Sequence, residues 1–96
     1  MELEMKHESN RIYLNDENGN MIAEVTFPAI SENAVNIDHT YVDDSLRGQG
    51  IAGKLMEEVV KQLKEENKKA NLTCSYAVKW FEKNIQYRDL LLSKDY

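Results

Sequence analysis

The sequence is poor in the residues that build stapled, metal-bound or membrane-spanning proteins. It has one cysteine, Cys74, so no internal disulfide can form, and no second thiol stands at metal-ligand spacing to make a structural zinc site. One proline and four glycines in 96 residues exclude a fibrous or low-complexity chain. No run of 18 apolar residues is present, and residues 1–7 carry no apolar signal stretch, so the expectation is a soluble, cytoplasmic protein. Positive charge is short as well. Lys and Arg number 12 against 17 Asp and Glu, and a net charge of -5 disfavours nucleic acid or an anionic membrane as partner.

What is there is globular. Hydrophobic residues make up 42% and charged residues 30%, and the length suits one domain over residues 1–96 around a single core, expected to be monomeric. The first half alternates as strands do. Residues 11–14 and 21–27 flank a turn-rich loop at 15–20 and form a hairpin that Pro28 ends, and residues 2–8 add an edge strand. Residues 35–42 alternate as a further strand, with Val35, Ile37, His39 and Tyr41 on one face. Residues 48–67 then read as one long amphipathic helix, with Ile51, Ala52, Leu55, Met56, Val59, Val60 and Leu63 in a stripe. A short strand at 70–74 follows, so strand, helix and strand form a right-handed crossover with parallel strands. From Ser75 the chain is helical, with Ala77, Val78, Phe81 and Ile85 at helical spacing, and 87–92 form a last short turn. The fold class is therefore α/β (α+β), a mostly antiparallel mixed sheet of about five strands with one long helix and short C-terminal helices.

Three of the four glycines fall within six residues, at Gly48, Gly50 and Gly53, where the long helix begins. Glycine lets backbone approach a ligand, and the first amides of a helix lack intrahelical acceptors, so the stretch suits a phosphate. Two patterns that it brushes against fail. A Walker loop needs a hydroxyl after the lysine, and Leu55 follows Lys54. A dinucleotide fingerprint needs a strand directly before the glycines and an acid ending the next strand; residues 43–47 form a polar turn instead, and Cys74 leads into Ser75.

A third pattern is met by Arg47, Gly50 and Ala52: arginine or glutamine, two residues, glycine, one residue, glycine or alanine. It resembles the coenzyme A diphosphate loop of the GCN5-related N-acetyltransferases (GNATs). The likeness extends from about residue 11 to 92. Val42 precedes the loop as the last apolar residue of the family's fourth strand, and Ala77 with Phe81-Glu82-Lys83 resembles the family's Ala-x-x-x-Tyr-Glu-Lys segment. The His39-Thr40 pair, the loop, and Cys74 leading to Tyr87-Arg88 look like small single-domain, GNAT-like acetyl-CoA-binding proteins.

The resemblance implies a minimal GNAT-like fold that binds acetyl-CoA. The diphosphate would lie on Gly48, Gln49, Gly50, Ile51, Ala52 and Gly53, flanked by Arg47 and Lys54, while Thr40, Tyr41 and Val42 would meet the pantetheine arm. It implies transfer of acetyl to a small amine, a protein amine or a thiol, directly or through Cys74. His39 would draw off the thiol proton, as a histidine can. Asp38 is an alternative base, Tyr76 a candidate proton donor to the sulfur, and Trp80 and Phe81 core. Two departures point the other way: Phe81 stands where most GNATs carry a tyrosine that protonates the leaving thiolate, and the family's last strand pair is absent. They favour a non-catalytic acyl-CoA-binding or sensing module as the second reading.

Overall fold

A computed structural model describes residues 5–46 and 48–92. Two antiparallel hairpins open the chain. β1 (Met5–Glu8) pairs with β2 (Arg11–Asn15), and β2 pairs with β3 (Met21–Thr26) across a turn in which Asp16 accepts the amides of Asn18 and Asn20. Of the strand expected over residues 2–8, Met5–Glu8 is observed, and residues 2–4 lie outside the described residues. Ile12, Leu14, Ala23 and Val25 alternate inward and are fully buried, the period-2 pattern of a sheet with one covered face.

The hairpin ends before Pro28 as expected, β3 stopping at Thr26, and the chain then enters a second, three-stranded sheet. Its short edge strand, β4 (Ala29–Ser31), pairs with β5 (Ala34–Ile37). The single strand expected over residues 35–42 is two, β5 and β6 (His39–Val42), and they serve different neighbours. β5 runs parallel to β7 (Lys69–Leu72), whereas β6 runs antiparallel to β3.

The ladder registers explain the division. Thr26 faces His39 and Ala29 faces Val35, so Phe27 and Pro28 on one side oppose Asn36, Ile37 and Asp38 on the other. Pro28 has no N–H to give the ladder, and its carbonyl accepts from Asn36 N. One extra residue is a β-bulge, and a bulge re-aims every side chain after it. The shared face expected for Val35, Ile37, His39 and Tyr41 therefore stops at Ile37. Beyond the bulge Thr40 and Val42 turn inward, opposite Val25 and Ala23, while His39 and Tyr41 turn outward.

The long helix α1 (Ile51–Glu66) lays its apolar stripe on this inner face, burying Ile51, Leu55, Met56, Val59, Val60 and Leu63. It ends at Asn67, whose left-handed conformation (φ 55°) is a usual helix stop. The lysines at its end are engaged within the chain: Lys64 sits 4.9 Å over the Tyr87 ring, Lys68 pairs with Glu66, and Lys69 Nζ donates to the Asp89 carbonyl. α2 (Ser75–Lys83) buries Ala77, Trp80 and Phe81 in the same core. The helical repeat expected to reach Ile85 gives way there to a 3-10 turn, Ile85–Leu90, and Ile85 is exposed.

Candidate acyl-CoA site

The bulge produces a cleft. β5 and β7 stay paired up to Ile37 and Leu72; the Ile37 carbonyl then accepts from both Thr73 N and Cys74 N at 3.1 Å, and β6 pairs with β3 alone. Where the two chains part, Thr40 Oγ1 and Cys74 Sγ lie 3.4 Å apart. Cys74 is half-buried at the entry of α2.

At the neighbouring end of the cleft is the start of α1. Gly48 (φ 84°) and Gly50 (φ 72°) adopt left-handed backbone, which a residue with a Cβ enters only at a cost. No side chain caps the helix. Its first intrahelical bond is Lys54 N–H to the Gly50 carbonyl, so the amides of the first turn are left to an outside acceptor, at the positive end of the helix dipole. A cavity of about 230 Å³ opens over these amides, lined by Val42, Leu46, Gly48, Gly50, Ile51, Ala52, Gly53 and Tyr76. Asp43 holds the turn before it, accepting the Ser45 hydroxyl at 2.6 Å, the Ser45 amide at 3.0 Å and the Tyr41 hydroxyl at 3.2 Å. These bonds, the Ser45 hydroxyl's first, keep its carboxyl below the usual carboxylate range.

The expected site residues divide into two groups. Val42, Gly48, Gly50, Ile51, Ala52 and Gly53 meet at the cavity, and Thr40 meets Cys74 in the cleft beside it. Gln49 and Lys54 are exposed next to the loop, the Gln49 side chain turning back to the Ser45 carbonyl, and Tyr41 points to the outer face. Arg47 lies outside the described residues.

His39 is not brought to Cys74. Neighbouring residues on a strand face opposite ways, so with Thr40 on the thiol, His39 projects from the other side, 3.8 Å from Glu24 Oε1. The bulge is the physical reason, and it puts a hydroxyl where an imidazole was expected. Asp38 sits in the bulge with Thr26 Oγ1 donating to it. Two lining residues lay outside the expected binding set: Leu46, hidden in a polar turn, and Tyr76. The signal for Tyr76 was its place two residues after Cys74, on the exposed first turn of α2.

The two sheets part beside a glycine-started helix, and a cavity opens at that junction. The family model of the GCN5-related N-acetyl-transferases matches residues 11–90, and the chain belongs to that family. A GCN5-like protein from Staphylococcus aureus, solved by NMR, superposes with a TM-score of 0.79 at 39% identity, over 98% of this chain and 92% of that one. A GNAT family acetyltransferase from Elizabethkingia anophelis, solved with acetyl-CoA bound, shares the fold at a TM-score of 0.59 and 16% identity, over 78% and 51% of the two chains. The human protein NATD1 is 36% identical over 62 residues, 65% of this chain and 55% of its own. The chain thus matches little more than half the length of these curated relatives.

Proposed function

We propose that this protein binds acetyl-CoA and transfers its acetyl group to an amine or thiol acceptor. The observation that carries the reading is the junction itself: unclaimed first-turn amides of α1 on one side of a cavity and the Thr40–Cys74 contact on the other. The residues present fit such a ligand. The cavity has room for a diphosphate but not for the whole molecule, so the arm would run into the cleft between β6 and the start of α2. There, β6 forms the edge of its sheet, with β7 paired to β5 instead. The GNAT acetyltransferase from Elizabethkingia anophelis was solved with acetyl-CoA bound, which supports an acyl-CoA as the ligand class.

Cys74 is the acyl-accepting group of the proposal. Its sulfur bonds to the acetyl carbonyl carbon, the carbon–sulfur bond to CoA breaks, and the thiol proton ends on the departing CoA sulfur. The acceptor's nitrogen or sulfur then attacks the acetyl carbon, the bond to Cys74 sulfur breaks, and the acceptor's own proton goes to Cys74. Thr40, not His39, is the side chain that steadies the Cys74 sulfur in this scheme. The protein acts as a soluble, cytoplasmic monomer.

A second reading, a binding or sensing module without turnover, is favoured by Phe81. It is 2% exposed within the core and offers no hydroxyl where the family resemblance puts a proton-donating tyrosine. Intact-mass spectrometry after incubation with acetyl-CoA separates the two. A one-acetyl gain that Cys74→Ser abolishes, with release of free CoA, supports the covalent route. CoA release undiminished in Cys74→Ser leaves direct transfer, and binding with neither acetylation nor release makes the module reading the correct one.

A further inference from the structure

Trp80 is the only tryptophan of the chain and is 9% exposed, which suits a core residue. Its indole nitrogen nevertheless lacks an acceptor among the described residues, and no buried polar side-chain atom there is left unpaired, so the N–H reaches open space. Gly53 lies next to it. A Cβ built on Gly53 would stand 3.6 Å from Trp80 Nε1 and 3.8 Å from the Tyr76 hydroxyl. Gly53 and Tyr76 both line the cavity over the first turn of α1, and Trp80 stands directly behind Gly53.

The indole is held in place. It stacks on Tyr87 at 5.5 Å with 6° between the planes and meets Phe81 edge-on at 5.1 Å, while Lys64 lies over the other partner of the stack, Tyr87. Fixing a donor before the ligand arrives removes the ordering cost from binding. The Tyr76 hydroxyl is a donor at neutral pH, since burial first and the neighbouring Cys74 second keep it above the ordinary phenol value. Gly53 leaves open the space beside both donors, where a Cβ would come into van der Waals contact with each. In a helix, alanine would otherwise be the more stabilising residue by up to about 1 kcal/mol.

We infer that Trp80 Nε1–H and Tyr76 O–H, reaching past Gly53, are phosphate-binding donors that join the first-turn amides of α1 on the diphosphate of a CoA ligand. The inference rests on the acyl-CoA reading above. It explains how a chain of net charge -5 holds a polyanion with neutral, oriented donors, the kind of contact that works at short range where net charge does not.

The single indole N–H gives one side-chain resonance in a nitrogen–proton correlation spectrum, so it reports directly. Titration of the full chain with CoA, and separately with ADP, should move that resonance downfield in both cases. Pantetheine, which lacks the diphosphate, should leave it in place. A hydrogen bond to a charged acceptor carries enough energy that Trp80→Phe and Tyr76→Phe should each weaken CoA binding about tenfold. Gly53→Ala should raise the melting temperature and still weaken binding, an opposition that a purely structural role for Gly53 does not produce. The inference is overturned if CoA binds without moving the indole resonance, if pantetheine moves it and ADP does not, or if both phenylalanine variants bind CoA as the parent does. Failure of the parent chain to bind CoA or ADP at all overturns the acyl-CoA reading together with the inference.

Discussion

β5 and β6 are consecutive segments of one strand direction, and they do opposite work. In β5, Ala34, Val35 and Ile37 are buried and both edges are paired, with β4 on one side and β7 on the other. In β6, His39 and Tyr41 are exposed, one edge is paired with β3, and the other faces the cleft. A single bulge residue separates a segment paired on both edges from one paired on one edge only. Binding groups are drawn from the less satisfied end of a strand, where a ligand can supply what the sheet does not.

The comparison is broken most severely in its buried half. Ile37→Ala leaves a cavity in the core and should cost about 2–5 kcal/mol, measured by chemical denaturation. Tyr41→Ala, four residues along on the exposed half, should change stability by no more than about 1 kcal/mol. If the two cost the same, the division of labour is wrong.

Next in size is the loop that β6 leads into. Gly50→Val forces a β-branched side chain into left-handed backbone, a strain of about 1–3 kcal/mol. It should reduce acetyl-CoA affinity more than tenfold by calorimetry, because the loop and its amides move. Retained affinity would mean that the glycine loop is not the diphosphate site.

A smaller effect sharpens the contrast inside the cleft. Thr40→Val removes the hydroxyl from Cys74 Sγ while keeping the shape, and should slow alkylation of Cys74 about threefold at neutral pH by withdrawing a hydrogen bond to the thiolate. His39→Ala should leave the alkylation rate unchanged, since His39 sits on the outer face beside Glu24. An equal slowing in both variants would restore the histidine to the site.

The smallest effect concerns pH. The Asp43 carboxyl is held below its usual pKa by the Ser45 hydroxyl, then the Ser45 amide, then the Tyr41 hydroxyl. A carboxylate with a lowered folded-state pKa stabilises above its unfolded value, near pH 4, and that contribution is lost as pH falls through the folded value. The amide of Ser45 should therefore lose its protection from hydrogen exchange only below about pH 4, and Asp43→Asn should abolish the transition.

Much of this was legible in the sequence. The apolar stripe of α1 fixed its buried face, the alternation of β2 and β3 fixed theirs, and the glycines at 48, 50 and 53 marked the helix start that lines the cavity. What was not legible depends on one residue of register. Nothing local to residues 35–42 says that Asp38 is an extra residue, because the bulge exists only against Phe27 and Pro28 across the ladder, and so alternation placed His39 inward and Thr40 outward. The donor role of Trp80 was hidden for a related reason. An aromatic residue on the buried side of a helix reads as core, and only the absence of a side chain at Gly53, two elements earlier, leaves its N–H an outlet.

The most direct measurement is a nitrogen–proton correlation titration of the labelled chain with acetyl-CoA, read residue by residue along the backbone. The account predicts that the largest shifts fall on Thr40 to Val42, on Gly48 to Lys54 and on Cys74, while Ala34 to Ile37 stay nearly still. Shifts concentrated on β5 or on the outer face around His39 and Glu24, or no shifts at all, would contradict it.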